Sequence, residues 1–287
     1  MRDYVFIDFC AGGGGPTPSI EKHLNKTIGS TTDACAPEPS NVETSVVTNH
    51  QTQPANSQPP PQPESYADAL VNGTEEGAEQ REREPVRFVL TDLHPHVSDW
   101  EKAAAESPNL SFIRESVDAA NAPPNDQLLG DYHKTADKKV FRLFNLAFHH
   151  FDDPLAKAIL RNTIETSDGF GIFELQDRSF LNGFLTCVLF GLGIFALAPY
   201  YAIFVWQSPL TLFFTYAIPI LPFVLVFDGW MSALRTRTPE EVEALLRTCG
   251  AQGYTPEEIE KKWEVTSGKE RFMWPVGTLN WVVAVKR

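Results

Sequence analysis

Val5-Phe6-Ile7-Asp8-Phe9-Cys10-Ala11-Gly12-Gly13-Gly14-Gly15-Pro16 lies almost at the start of the chain. A short apolar run ends in an acid, and four glycines follow. Glycine has no Cβ and tolerates positive φ, so it lets a backbone turn this tightly and come this close to a ligand. A strand, a glycine turn and a helix is how α/β proteins cradle nucleotide-like ligands. Dinucleotide enzymes use a similar turn, but the spacing here is not Gly-x-Gly-x-x-Gly. Counting from Gly12 and Gly14 puts Thr17 at the third position, and counting from Gly13 and Gly15 puts Pro18 there. No Tyr-x-x-x-Lys pair is present either. Both facts speak against a nicotinamide-dependent reductase.

At 287 residues the chain is one large domain or two small ones. Its net charge of −13 argues against a nucleic-acid partner, which needs clustered basic residues. Cys10, Cys35, Cys187 and Cys249 are scattered without metal-ligand spacing and read as reduced thiols. Met1-Arg2-Asp3-Tyr4 leads directly into the first strand without an apolar stretch, so no secretory signal is expected there.

Three compositions succeed one another. Residues 25–85 are rich in Thr, Ser, Pro, Gln, Asn and Glu, and include Gln58-Pro59-Pro60-Pro61-Gln62-Pro63. Such a segment cannot bury enough apolar surface to offset the entropy of ordering it, and a disordered insertion is expected. Strands and helices then alternate. Arg87 to Asp92, Leu110 to Arg114, Val140 to Leu146 and Phe170 to Leu175 read as strands, and Val97 to Ser107 and Asp153 to Thr166 as helices. Asp152 or Asp153 caps the second helix and Pro154 suits its first turn. Apolar strands alternating with helices predict a parallel sheet covered on both faces. Thr238-Pro239-Glu240-Glu241 opens a further capped helix. Trp263-Glu264-Val265 and Asn280 to Val285 close the chain as strands, with turns at Thr266-Ser267-Gly268 and Pro275-Val276-Gly277 and an antiparallel edge at the C-terminus.

Between these parts, Ser179 to Phe227 carries no charged side chain. Phe180 to Trp206 is long enough to cross a bilayer, and Pro209 to Phe227 is marginal and bent by Pro219 and Pro222. Tyr200, Tyr201, Trp206 and Trp230 suit an interface. Arg178 precedes the segment and Arg235 and Arg237 follow it, while Gln207-Ser208-Pro209 between the arms bears no charge. A hairpin dipping into a membrane, with the α/β domain on the cytosolic side, is expected. The alternative is an apolar subdomain or dimer interface.

The order Asp8…Gly12-Gly13-Gly14, then Asp92, then Asp118, then Phe148-His149-His150-Phe151-Asp152-Asp153 resembles the class I S-adenosylmethionine-dependent methyltransferases. Leu90-Thr91-Asp92-Leu93-His94-Pro95, Phe144 to Phe151, Ile172-Phe173-Glu174-Leu175 and Phe214 through Gly229 look like a membrane-associated, methyltransferase-like branch. The resemblance spans residues 4–24 and 87–287 and implies a Rossmann-like open, mostly parallel sheet interrupted after its fifth strand by the apolar hairpin. It implies that Ala11, Gly12, Gly13 and Gly14 approach the amino-acid end of S-adenosylmethionine, with Asp8 near its ammonium or bracing the turn. It assigns the ribose hydroxyls to Asp92, the adenine amino group to Asp118 with Ala119 along the ring, and the border of the sulfonium to Asn145 through Phe148. Cys10 stands where many relatives carry a first glycine, and the usual helix before the first strand is missing.

Each residue has a plainer reading. Asp8 and Asp92 suit turn caps, and Asp118 suits an exposed surface. Glu174, inside an apolar strand, needs a partner such as Arg178 or a backbone group. His149 and His150 are the candidate bases for deprotonating an acceptor, or they shape the pocket. Their adjacency to Asp152 and Asp153 does not suit a metal site. The expected function is a membrane-associated methyltransferase with a small, amphipathic or lipid-like acceptor. The rival is a non-catalytic membrane-tethered adaptor that keeps the fold.

Overall fold

The computed structural model describes residues 3–33, 84–130, 138–176, 178–274 and 277–287. Seven strands run in chain order: β1 (Tyr4–Phe9), β2 (Arg87–Thr91), β3 (Leu110–Phe112), β4 (Lys139–Asn145), β5 (Gly169–Glu174), β6 (Trp263–Met273) and β7 (Gly277–Lys286). They form one sheet in the order β3-β2-β1-β4-β5-β7-β6. β1 to β5 pair in parallel, and β7 is antiparallel to both β5 and β6. This is the Rossmann-like sheet of the class I methyltransferase type. The chain crosses from β1 to β2 on one side and to β4 on the other. The ends of β1 and β4 therefore flank the point where strand order reverses, and ligands bind there in open α/β sheets.

Alternation along β1 explains the two layers. Val5, Ile7 and Phe9 face one core, with Phe144, Ile159, Leu160 and Leu245. Phe6 faces the other, with Phe88, Leu90, Trp100 and Phe141. The first layer is covered by α4 (Asp153–Thr166), α8 (Pro239–Arg247) and α9 (Pro256–Lys262). The second is covered by α1 (Thr17–Asp33) and α2 (Val97–Glu106). A short α3 (Asn125–Leu129) lies between β3 and β4. Asp152 caps α4 through Leu155 N–H at 3.0 Å. Capping boxes Thr238/Glu241 and Thr255/Glu258 start α8 and α9, each with Pro in the first turn.

The apolar segment begins as α5 (Phe180–Tyr200), continues through a π-helical turn (Tyr201–Val205) and returns as α6 (Pro209–Leu212), a second π-helical turn (Phe213–Ala217) and α7 (Ile220–Arg235). Gly183–Val205 is one helix long and apolar enough to cross a membrane. The return arm is bent by 74° at Ile218-Pro219, where proline removes a backbone donor. It runs on to Arg235, beyond the expected end at Phe227.

Other elements differ from the expectations. The segment read as a disordered insertion falls mostly on residues 34–83, outside the described residues. Its first part, Asn25 to Asp33, is helical, because α1 extends past Leu24 to bury Leu24 and Ile28 against β2's layer. Thr266-Ser267-Gly268 is no turn: β6 runs straight through it, and Trp281 of β7 stacks where a side chain at Gly268 would stand. The C-terminal strand is not the edge, since β6 lies outside it. Nor is the sheet fully covered. Tyr4, Phe6, Phe141, Leu143, Phe173 and Val283 line an apolar trough of about 600 Å³ on this face, walled on one side by Ile20 and Leu24 of α1.

Candidate cofactor site

The bend after β1 is built by backbone geometry. Cys10, Gly12, Gly14 and Gly15 have φ of 64°, 52°, 106° and 50°. Gly14 N–H closes the turn on the Ala11 carbonyl at 2.8 Å, and Ala11 N–H ties it to the Thr91 carbonyl of β2 at 3.1 Å. Trp100 of α2 donates its indole N–H to the Gly12 carbonyl at 2.7 Å. Pro18, Trp100 and Leu90 pack against the bare side of Gly14, while nothing stands within 4 Å of where a side chain would project from Gly12 or Gly13. The bend is thus propped at Gly14 and open over Gly12 and Gly13.

Asp92 follows β2 and faces this bend. Its Oδ2 accepts Gly12 N–H at 2.8 Å and its Oδ1 accepts His94 N–H at 2.8 Å. Val117 N–H donates to the Asp92 carbonyl at 2.9 Å, which brings Asp118 alongside. Asp118 is exposed and accepts Ala120 N–H at 2.8 Å, while Ala119 is buried in the core. Burial pushes the Cys10 thiol up to about 12, and Asp92, Asp8 and Asp118 add to the rise.

Asp8 is buried at 1% exposure. Thr17, at the start of α1, donates its hydroxyl to Asp8 Oδ2, and Asn145 at the end of β4 donates to Thr17 Oγ1 at 3.1 Å. The other oxygen, Oδ1, is buried without a partner. Burial raises the Asp8 carboxyl to about 7, against the opposing pull of Thr17 and Asn145. β1, α1 and β4 thus hold one polar chain, Asp8–Thr17–Asn145, beneath the bend. Thr17 and Trp100 were not singled out from sequence as site residues.

His149 and His150 form a 3-10 turn (Phe148–His150) after β4. His149 is buried: its N–H reaches Glu174 Oε1 at 3.1 Å and its Nδ1 lies 2.8 Å from Glu174 Oε2. Glu174 therefore pairs with His149 rather than Arg178, which instead forks onto Glu241 at 2.6 and 2.7 Å. His150 is exposed, its ring 4.1 Å from that of His149. Burial, then the neighbouring His149, lowers its pKa below the usual histidine value. It opens onto a cleft of about 760 Å³ shared with Lys157, Arg235, Arg237 and Asp153. That cleft shares no lining residue with the glycine bend. The structure therefore divides the candidate residues into a glycine–carboxylate group and a separate histidine group. Among the described residues, no three His, Cys, Asp or Glu side chains gather as a metal site.

The unpartnered Asp8 Oδ1 and the open space over Gly12 and Gly13 fit the amino-acid end of S-adenosylmethionine. Asp92 has both oxygens engaged, yet each keeps a lone pair for a ribose hydroxyl.

No family model matches the chain, and no curated protein matches it. Among solved structures, "PigF with SAH" superposes with a TM-score of 0.37 at 11% identity, covering 99% of this chain. The chain spans half the length of that protein, 50% of it being covered. A putative Zn-dependent alcohol dehydrogenase from Rhodobacter sphaeroides superposes with a TM-score of 0.36 at 14% identity, covering 76% of this chain and 82% of that one. At such scores neither likeness bears on function, and the fold class stands on the strand order itself.

Proposed function

We propose that the chain is an S-adenosylmethionine-dependent methyltransferase that works at a membrane on a small amphipathic acceptor. One observation carries the reading: the Gly12 amide and the Asp92 carboxylate meet at 2.8 Å across the ends of β1 and β2, next to the reversal point of the sheet and beside an open glycine bend. When bound, the cofactor supplies an electrophilic methyl group on a sulfonium. Ala11 to Gly14 hold its amino-acid end, with Asp8 Oδ1 accepting from the ammonium. Asp92 accepts from the ribose and Asp118 from the adenine amino group, with Ala119 along the ring. Asn145 borders the reacting end. Of the two histidines, His150, exposed and with its pKa lowered, is the freer to take a proton, because His149 is tied to Glu174, although the cleft His150 lines shares no residue with the glycine bend.

The membrane part rests on the charge-free segment and its helix of spanning length. The acceptor class rests on that segment entering the fold directly after β5, and the α/β domain is assigned to the cytosolic side by the flanking arginines. The test is calorimetry of the detergent-solubilised full chain with S-adenosylmethionine, followed by mass spectrometry of cell extracts with and without the protein, seeking products heavier by one CH₂. Absence of binding by folded protein overturns the enzyme reading.

A second reading is a membrane-tethered adaptor. It is favoured by Asp92 already satisfying two backbone amides, which suits a purely structural role. Binding of the cofactor excludes the simplest form of it.

A further inference from the structure

We infer that the apolar end of β6, Phe272 to Trp274, is a second membrane contact, which seats the cofactor end of the sheet against the bilayer. The inference rests on the membrane reading proposed above. Phe272, Met273 and Trp274 are 58%, 56% and 82% exposed. Three consecutive large apolar side chains bared on a soluble surface are disfavoured unless something covers them. The register of β6 against β7 is broken between Arg271 and Met273, and the irregularity leaves both Phe272 and Met273 outside the core.

Their place in the fold names the covering phase. Glu174, the last residue of β5, pairs with Asn280, so Thr278 and Gly277 overhang the end of β5. At about 3.3 Å per residue Gly277, with Met273 opposite it, stands roughly 10 Å beyond that end. The same edge releases the apolar segment: Asn280 donates its side-chain amide to the Gln176 carbonyl, four residues before Phe180 begins α5. All five parallel strands end along this edge, so the glycine bend after β1 opens there too. A tryptophan and a phenylalanine bared at the same sheet edge from which a charge-free segment departs match the aromatic anchors of a lipid–water interface. A protein groove would need no such alignment with the hairpin. Seated this way, the cofactor edge faces the headgroups, and an amphipathic acceptor reaches it without leaving the bilayer.

The test places a photo-activatable benzoylphenylalanine, one position at a time, at Trp274, at Leu192 in α5 and at Glu106 at the far end of α2. Each full-length protein is reconstituted in phosphatidylcholine–phosphatidylserine vesicles, irradiated and weighed by mass spectrometry. Trp274 is exposed, so its replacement leaves the core intact. The expected result is phospholipid adducts at Leu192 and Trp274 and none at Glu106. Adducts at Leu192 without any at Trp274 overturn this inference and leave the hairpin reading standing. No adducts at either position overturn both. Adducts at all three positions overturn the proposed orientation, since the whole domain would then lie on the lipid.

Discussion

Glu174 holds His149 by two bonds, one to the backbone N–H at 3.1 Å and one to ring Nδ1 at 2.8 Å, with both residues buried. β5 thereby fixes the turn that follows β4. Replacing Glu174 with Ala strands a buried N–H and a buried ring nitrogen. We expect a loss of about 1–3 kcal/mol per orphaned group, read as a lower denaturation midpoint. Glu174→Gln keeps both contacts possible and is expected to lose less.

Asp92 is the residue proposed to hold the ribose; its removal also frees the Gly12 and His94 amides, so the denaturation midpoint is read beside the affinity. Asp92→Ala is expected to weaken S-adenosylmethionine by about 1.5–3 kcal/mol, or roughly 10- to 150-fold in Kd. Asp118→Ala, at an exposed carboxylate, is expected to cost less than tenfold. Calorimetry on both variants checks the order.

Asp8 links stability to pH. Its folded pKa of about 7 stands above its ordinary 3.8. Between those values the folded chain keeps a proton that the unfolded chain has lost. Stability therefore falls as pH rises through that window and levels off above 7, by on the order of a few kcal/mol in total. Asp8→Asn flattens the dependence, as denaturant midpoints from pH 4 to 8 would show. An ammonium settling beside Oδ1 draws the proton off, so cofactor binding releases a proton near pH 7 and tightens as pH rises through it. Calorimetry in buffers of different ionisation enthalpy counts that proton.

Cys10 sits at φ 64°, where a side chain costs about 1–2 kcal/mol. Cys10→Gly relieves this but frees the unfolded chain by about 0.5–1 kcal/mol. A net gain of about 0.5–1 kcal/mol is expected in the denaturation midpoint. With its thiol raised to about 12, Cys10 is also expected to resist iodoacetamide at pH 8 in the folded state and to react once unfolded.

Much of this was written in local pattern. The glycine bend, the parallel strands, the cap of α4 and the box at Thr238 follow from residues a few positions apart. Three features did not. β6 crosses Thr266-Ser267-Gly268 because Trp281 on β7 needs the space over Gly268, a demand set across the sheet. Glu174 was expected to take Arg178 or a backbone group; the backbone group is the His149 N–H, and the His149 ring that comes with it was not foreseen. Trp100 props the bend from 88 residues away, a distance that periodicity does not read. α9 was legible, since Thr255-Pro256-Glu257-Glu258 repeats the signature of Thr238-Pro239-Glu240-Glu241, and it was missed.

β5 and β7 are joined residue by residue from Gly169↔Val285 to Glu174↔Asn280, and the whole apolar segment lies between them in the chain. Two hydrogen-bonded partners cannot stand in different aqueous compartments. On the membrane reading proposed above, the segment's number of crossings must be even, zero for a re-entrant dip or two for a full loop. This parity is imposed by the sheet and owes nothing to flanking charge. It also orders biogenesis, because β7 leaves the ribosome after the segment and the sheet closes only once both ends of that segment are back on one side.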